Sequence, residues 1–315
     1  MTDFKLYTPV VFIIFNRPDT TERVFAQICK AKPPKLLVVG DGARVGREGE
    51  AEKVAACRAI IKRVDWPCEI LTNYSDINLG CKVRVSSGLD WVFEQVEEAI
   101  ILEDDCLPHS TFFRFCDEML TRYRDDQRIG MISGDNFQFN EARNQDSYYF
   151  SRYLHIWGWA TWRDRWQTSY DVELRKWPFV RDGRLLQDLF SNKHEAIYWE
   201  RIFEQTFCGK INSWDYQWFF ANLIEGRFSI APNVNLISNV GFGRADATNT
   251  HLVAKEANIA LSPIIFPLKH PNFIVVNKVA DDFEYTVLLH KSIYKRLYNK
   301  IKRIMISLSF RHECK

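Results

Sequence analysis

Apolar residues in the first part of the chain fall in short continuous runs rather than in the alternation of a half-exposed strand. Residues 9–15, PVVFIIF, and 35–39, KLLVV, predict strands covered on both faces, and 68–72, CEILT, and 99–102, AIIL, predict two more. Between these runs the apolar positions switch to helical spacing. Val24, Phe25 and Ile28 share one face of TTERVFAQICKA, with Asp19 or Thr20 expected as its cap and Pro33-Pro34 as its stop. Val54, Cys57, Ile60, Ile61 and Val64 line a helix over 50–64, and Val85, Leu89, Val92 and Val96 line one over 81–97. Strand–helix alternation with short links predicts an α/β chain with a mostly parallel central sheet flanked by helices. Ligands of such sheets bind beyond the carboxyl ends of the strands. Asn16-Arg17, Asp41 and Glu103-Asp104-Asp105 all fall at those ends.

The pattern changes further on. A strand over 129–133, a helix over 195–208 and strands within 228–237 are legible, but the intervening residues are crowded with Trp and Phe and less regular. Residues 241–251, GFGRADATNTH, read as a mobile loop. No internal repeat or low-complexity linker divides the chain. One domain is therefore expected over 1–260, with a nucleotide-binding half (1–135) and an aromatic-rich acceptor half (136–260). Residues 261–315 follow as a C-terminal extension.

Composition narrows the function classes. Of 315 residues, 46% are hydrophobic and 26% charged, which excludes a disordered or collagen-like chain. A formal charge of +2 gives no global basic field, so nucleic acid is not an expected partner. No run of apolar residues is long enough to span a bilayer, and the N-terminus lacks the basic start and cleavage site of a signal peptide, so a cytoplasmic location is expected. The eight cysteines form no CxxC pair, which argues for free thiols rather than a zinc site. Aromatics reach 14%, with ten Trp, an excess that calls for either core packing or carbohydrate stacking.

The end of the chain differs from the rest. Residues 291–315 carry eight Lys and Arg against Glu313 alone, and Ile293, Leu297, Ile301, Ile304 and Leu308 recur at helical spacing. A basic amphipathic helix over about 290–310 suits an anionic membrane surface, which would make the protein peripheral at the inner face of the cytoplasmic membrane. The alternative is a helix docked on the domain with a solvated basic face.

Chemistry concentrates at AIILEDDCLP, residues 99–108. Three acidic residues in a row after a buried strand repel one another, and a divalent cation with a preference for oxygen ligands relieves that cost. The absence of a neighbouring Lys or Arg in the sequence favours such a site over a solvated acidic turn. With this triplet, the chain resembles the GT-A nucleotide-sugar glycosyltransferases, whose acidic motif ends a central strand. Within that class it is most similar to the inverting N-acetylglucosaminyltransferases of the animal N-glycan pathway and to bacterial family-2-like sugar transferases. The resemblance runs in order over residues 9–250. It rests on Phe15-Asn16-Arg17-Pro18, Gly40-Asp41-Gly42, Leu79-Gly80-Cys81-Lys82-Val83-Arg84, LEDDCLPHSTFFRFC, Ser133-Gly134-Asp135-Asn136, Trp157-Gly158-Trp159-Ala160 and Ser213-Trp214-Asp215-Tyr216-Gln217-Trp218.

That resemblance implies a transfer from a UDP- or dTDP-sugar to a hydroxyl of a glycan or lipid-linked acceptor, in envelope glycan synthesis, with inversion and with Mn2+ or Mg2+. It implies Asp105 as the metal ligand, with Glu103 and Asp104 on the ribose, the sugar or metal-bound water. Arg17 would steady the nucleotide, Asp41 would read the base imide, and Arg84 and Lys82 would face the diphosphate. Trp157 and Trp159 would stack on the sugar, Gly158 allowing close approach, with Trp162 and Trp214 as further stacking surfaces. His251 is either a further metal ligand from a closing loop or a surface histidine. Asp215 would be the general base, or else only a helix cap, since the class has two acids where this chain has Asp215-Tyr216. A sugar nucleotidyltransferase usually carries a Gly-rich phosphate loop after the first strand, where this chain has Phe15-Asn16-Arg17-Pro18-Asp19. A carbohydrate-binding protein that lost turnover is the remaining rival.

Overall fold

The computed structural model describes residues 4–139, 141–244 and 259–290. Its first part alternates as the pattern predicts: β1 (Val10–Ile14), α1 (Pro18–Ala31), β2 (Lys35–Gly40), α2 (Glu50–Ile61), β3 (Glu69–Tyr74), α3 (Gly80–Gln95) and β4 (Glu98–Glu103). A short β5 (Cys106–Pro108) leads to α4 (Thr111–Tyr123) and β6 (Ile129–Ser133). The aromatic stretch forms β7 (Tyr148–Ser151), β8 (Trp159–Trp162), α5 (Arg163–Ser169), α6 (Trp177–Asp182), α7 (Leu186–Leu189), α8 (Lys193–Phe207) and α9 (Asp215–Ile224). Then come β9 (Phe228–Pro232), β10 (Ile237–Asn239), α10 (Lys278–Glu284) and a π-helical turn at Tyr285–His290.

Eight strands form one sheet in the order β3-β2-β1-β4-β8-β6-β9-β7. The four strands from β3 to β4 pair in parallel. Strand β8 runs antiparallel to both β4 and β6, β9 is parallel to β6, and β7 closes the edge antiparallel. The fold is thus α/β with a large, mostly parallel sheet. All five residues of β1 are buried, because helices cover both faces of the sheet.

Side chains alternate between two cores, as the strand period requires. Val10, Phe12 and Ile14 point to a core closed by α1, α2 and α4. Val11 and Ile13 point to one closed by α3, α5 and α9. A third, aromatic core gathers Trp177, Trp199, Phe203, Phe219 and Phe220 from α6, α8 and α9. Ile264 and Leu268 belong to the first core and Tyr285 to the third, so residues 259–290 are built into the same packed body.

The start of α1 differs from expectation. Neither Asp19 nor Thr20 caps it. Pro18 sits at its first position, where a missing N–H costs nothing, and Arg17 is the capping residue without a side-chain bond. The Thr20 and Thr21 hydroxyls instead donate to Arg17 O, at 3.3 and 2.7 Å. The Asp19 carboxylate is drawn to Arg244, at 2.5 Å.

Candidate active site

Strands β1 and β4 are neighbours, but the chain moves away from them in opposite directions along the sheet. This is a topological switch point, and the crevice beyond it is where open α/β sheets take ligands. The register pairs Ile13 with Glu103, so the acidic triplet lies beside the end of β1. Phe15 N donates to Asp104 Oδ2 at 3.0 Å. Arg17 Nη1 donates to Asp105 Oδ2 at 2.7 Å and lies 3.8 Å from Asp104 Oδ1. The triplet therefore does have a basic neighbour, contrary to the sequence expectation. It arrives from 88 residues away through the fold. Arg17, expected to steady a nucleotide, is engaged here by that ion pair.

The strand ends concentrate negative charge where water is scarce. Burial lifts Glu103 to about 8, and Asp105, Asp104 and Asp215 add to the shift. Burial and then Asp105 lift Asp104 to about 7, with Arg17 opposing. At the start of α3, desolvation in the cleft and the charges of Glu103, Asp215, Asp105 and Asp41 push the Cys81 thiol up to about 12. Those four acids, from three separate segments, thus act on the same thiol.

Asp215 is the first residue of α9 and half-buried. Burial lifts it to about 6, while the amides of the first helical turn hold the shift back. Ser213 Oγ donates to its Oδ1. It also lines a cavity of about 160 Å³ with Tyr153, His155, Trp199, Tyr216 and Glu284. The residue that faces the acidic triplet thus also opens onto an enclosed space.

Other predicted site residues stand differently. Asp41 accepts from Gly42 N, Leu79 N, Gly80 N and Asn78 Nδ2, all at 2.9–3.0 Å. A carboxylate has about four acceptor positions. Asp41 fills them by pinning the turn that launches α3, and a base imide could enter only by displacing one donor. The buried Arg84 donates Nη2 to Asn73 O and Oδ1, at 2.7 and 2.6 Å, which ties α3 to β3 rather than to a diphosphate. Lys82 leans towards Glu173, at 3.7 Å.

Trp159 is a correction. It is fully buried among Trp166, Trp214 and Trp218 and cannot stack on a sugar. Trp162 and Trp214 are buried as well. Gly158, at φ +73°, serves packing rather than ligand approach, since a Cβ there would meet Ile237 Cδ1 at 2.5 Å. Trp157 is half-buried, edge-on to Phe137 at 5.2 Å and to Phe242 at 5.4 Å. His251 and residues 291–315 lie outside the described residues.

Sequence reasoning missed two features. The antiparallel β5–β10 ribbon brings the 239–241 segment onto the acidic turn, where Val240 N donates to Asp105 O at 2.8 Å. Gly241 lies so close that a Cβ would stand 2.2 Å from Asp105 Oδ2. Its glycine was the available signal. The second is a buried polar network of Gln138, Tyr149, His155 and Glu284. His155 Nε2 meets Glu284 Oε2 at 2.9 Å, and Glu284 Oε1 accepts from Gln138 at 2.6 Å. Nothing in the sequence joins His155 to a residue 129 positions away.

The donor set suits a hard cation in one arrangement. Among the described residues, no group of three or more His, Cys, Asp or Glu could hold a metal alone. Asp105 Oδ2 is held by Arg17, while among the described residues its Oδ1 meets the weak donor Cys106 Sγ, at 3.6 Å. Magnesium-like ions are commonly held by one or two carboxylates plus substrate phosphates. Asp105 fits that role, and Asp104 stands beside it.

No family model matches the chain, and no curated protein matches it. Solved structures do. One is the mannosyltransferase PcManGT of Pyrobaculum calidifontis in complex with GDP-Man and Mn2+, at 13% identity and TM-score 0.37, over 54% of this chain and 49% of that one. The chain thus spans about half the length of that protein. A cytidylyltransferase from Leptospira borgpetersenii serovar Hardjo-bovis matches at 10% identity and TM-score 0.30, over 51% and 63%. A UDP-glucose pyrophosphorylase complexed with UDP-glucose matches at 10% identity and TM-score 0.36, over 72% and 90%. Likenesses this slight carry nothing about activity, and the functional reading stands on the geometry of this chain. Among the described residues, no helix is long and apolar enough to cross a membrane.

Proposed function

We propose that this chain is a GT-A-like glycosyltransferase. It would move a sugar from a UDP- or dTDP-sugar to a hydroxyl of a glycan or lipid-linked acceptor, with inversion, in envelope glycan synthesis. One arrangement carries the reading: Glu103, Asp104 and Asp105 end β4 at the switch point, Asp215 is near enough to act on Glu103 electrostatically, and Asp215 lines a cavity. The order of motifs along the sequence supports it. The Phe15-Asn16-Arg17-Pro18 turn after β1, in place of a Gly-rich phosphate loop, tells against a nucleotidyltransferase.

The roles follow from the chemistry. Asp215, lifted towards neutrality by burial, takes the proton of the acceptor hydroxyl as that oxygen attacks the anomeric carbon and the bond to the diphosphate breaks. Asp105 would hold Mn2+ or Mg2+, which when bound offsets negative charge on the departing diphosphate. Glu103, two residues from Asp105, would bond the ribose, the sugar or metal-bound water. Trp157 is the half-buried ring placed to contact a sugar face.

The test is nucleotide release from a panel of UDP-, dTDP-, GDP- and CMP-sugars with manganese and an acceptor mixture. Release is expected with UDP- or dTDP-sugars and lost in Asp105→Ala. Asp215→Asn should lower kcat about 10²–10⁴-fold, as general bases typically contribute. Release in the parent with none of these donors, or full turnover in Asp215→Asn, would refute the assignment. The basic residues of 291–315 support a site facing an anionic membrane surface. Deleting them should abolish co-sedimentation with phosphatidylserine vesicles, and unchanged sedimentation would remove the membrane from the proposal.

A further inference from the structure

The cavity beyond Asp215 has walls that do not suit a bare sugar ring. Its volume is about 160 Å³, and Leu154, Ile156, Trp199, Tyr216 and Phe219 line most of it. The rings of Trp199 and Phe219 stand 4.2 Å apart, with Tyr216 at 6.4 Å from Trp199. The polar wall groups are engaged with one another or with the core. His155 Nε2 is on Glu284 at 2.9 Å, Glu284 Oε1 accepts from Gln138 at 2.6 Å, and Tyr153 Oη donates to Glu195 at 2.5 Å. A hexose pushed into this space would bring several hydroxyls to a wall whose polar groups are already committed, and unpaired buried hydroxyls are costly. An apolar cavity of about 150 Å³ is known to take benzene.

We propose that this cavity receives a compact apolar group, about the size of a benzene ring, borne by the acceptor next to its reacting hydroxyl. The assignment of that group to the acceptor rests on Asp215 being the base, as proposed above. The occupant's chemistry rests on the cavity walls alone. An aryl group fits best, because the wall is itself a cage of aromatic rings, whose offset and edge-on contacts favour another ring.

Binding and turnover, measured separately on the full chain, test the two layers independently. Benzyl alcohol should bind the parent in saturation-transfer NMR and alter tryptophan fluorescence, while glucose at the same concentration should not. Ile156→Phe, or Leu154→Phe should the first variant fold poorly, fills the space and should weaken benzyl alcohol at least 10-fold with little change in melting temperature. Glucose binding as well as benzyl alcohol, or benzyl alcohol indifferent to both filling variants, overturns the inference. If benzyl alcohol binds as described and no nucleotide sugar supports turnover, the apolar site is supported and the glycosyltransferase reading falls. If turnover occurs but benzyl and methyl glycosides are equal acceptors in the parent and in the filled variants, the cavity inference falls and the glycosyltransferase reading stands.

Discussion

The carboxyl ends of β1 to β4 and the aromatic half around α8 and α9 both hold unusual numbers of carboxylates, but they treat them in opposite ways. At the strand ends, Asp104 and Asp105 meet one amide and one guanidinium at the rim of a cleft. On α8 and α10, Glu195, Asp281 and Glu284 are about as buried as Asp104 but are bonded side chain to side chain, to Tyr153, Ser151, Gln138 and His155. The first arrangement leaves acids able to exchange partners with a ligand. The second locks them as structural ties, where removing one partner strands a buried charge. An acid's worth for chemistry is therefore set by the partners it already holds, not by the number of acids in a segment.

The two regions also divide the tryptophans. Eight of the ten are buried, and only Trp91 and Trp157 are half-exposed, so the aromatic excess is mainly core. Trp159→Ala should produce the largest stability loss, about 3–5 kcal/mol, as for other buried aromatic truncations. Trp157→Ala should cost only about 1 kcal/mol but reduce turnover with the donor. Urea denaturation of the two variants would check the contrast. Equal losses would erase the distinction between a packing ring and a site ring.

Gly241→Ala probes the rim from above. The added methyl must displace Asp105 Oδ2 or lift the segment. A stability cost of about 1–3 kcal/mol is expected from overpacking, together with up to about 10²-fold lower manganese-dependent turnover from a misplaced carboxylate. A variant with parental turnover would show that the placement of Asp105 is not critical.

The smallest expected effect concerns the sealed network. Burial alone would lower His155, but the Glu284 carboxylate at 2.9 Å outweighs it, with Asp135 and Asp281 assisting, and the imidazole is raised to about 9. A group raised above its unfolded value of about 6.5 stabilises fully below that pH and loses its contribution as pH climbs through 9. The melting temperature of the parent should therefore fall more steeply between pH 6.5 and 9 than that of His155→Gln. Parallel curves would mean that the imidazole is not charged in the folded protein.

Much of the donor half was legible because its strands are covered on both faces and its helices repeat at 3.6 residues. That pattern located β1 to β4 and the acidic triplet. Long-range pairing was not legible. Arg17 reaches Asp105 only because β1 and β4 are adjacent, and Asp41 is saturated only because residues 78–80 fold back on it. In the aromatic half, a Trp destined for the core and one at a rim have the same local sequence, Trp157-Gly158-Trp159. Their fates were decided by β8, which turns Trp159 into the α5–α9 core. Asp215 was found from its aromatic setting, but the cavity behind it depends on Glu284 and Leu288, at the far end of the described chain.

Strand β8 has one more consequence. It comes from the second half of the chain, yet it lies between β4 and β6, and the acidic turn is clasped from downstream by the β5–β10 ribbon. A fragment ending near residue 135 would expose the flank of β4 as an unzipped edge and lose that clasp. The nucleotide and acceptor roles proposed above therefore cannot be apportioned by cutting the polypeptide in two. Dissection of the two activities has to proceed by point substitution.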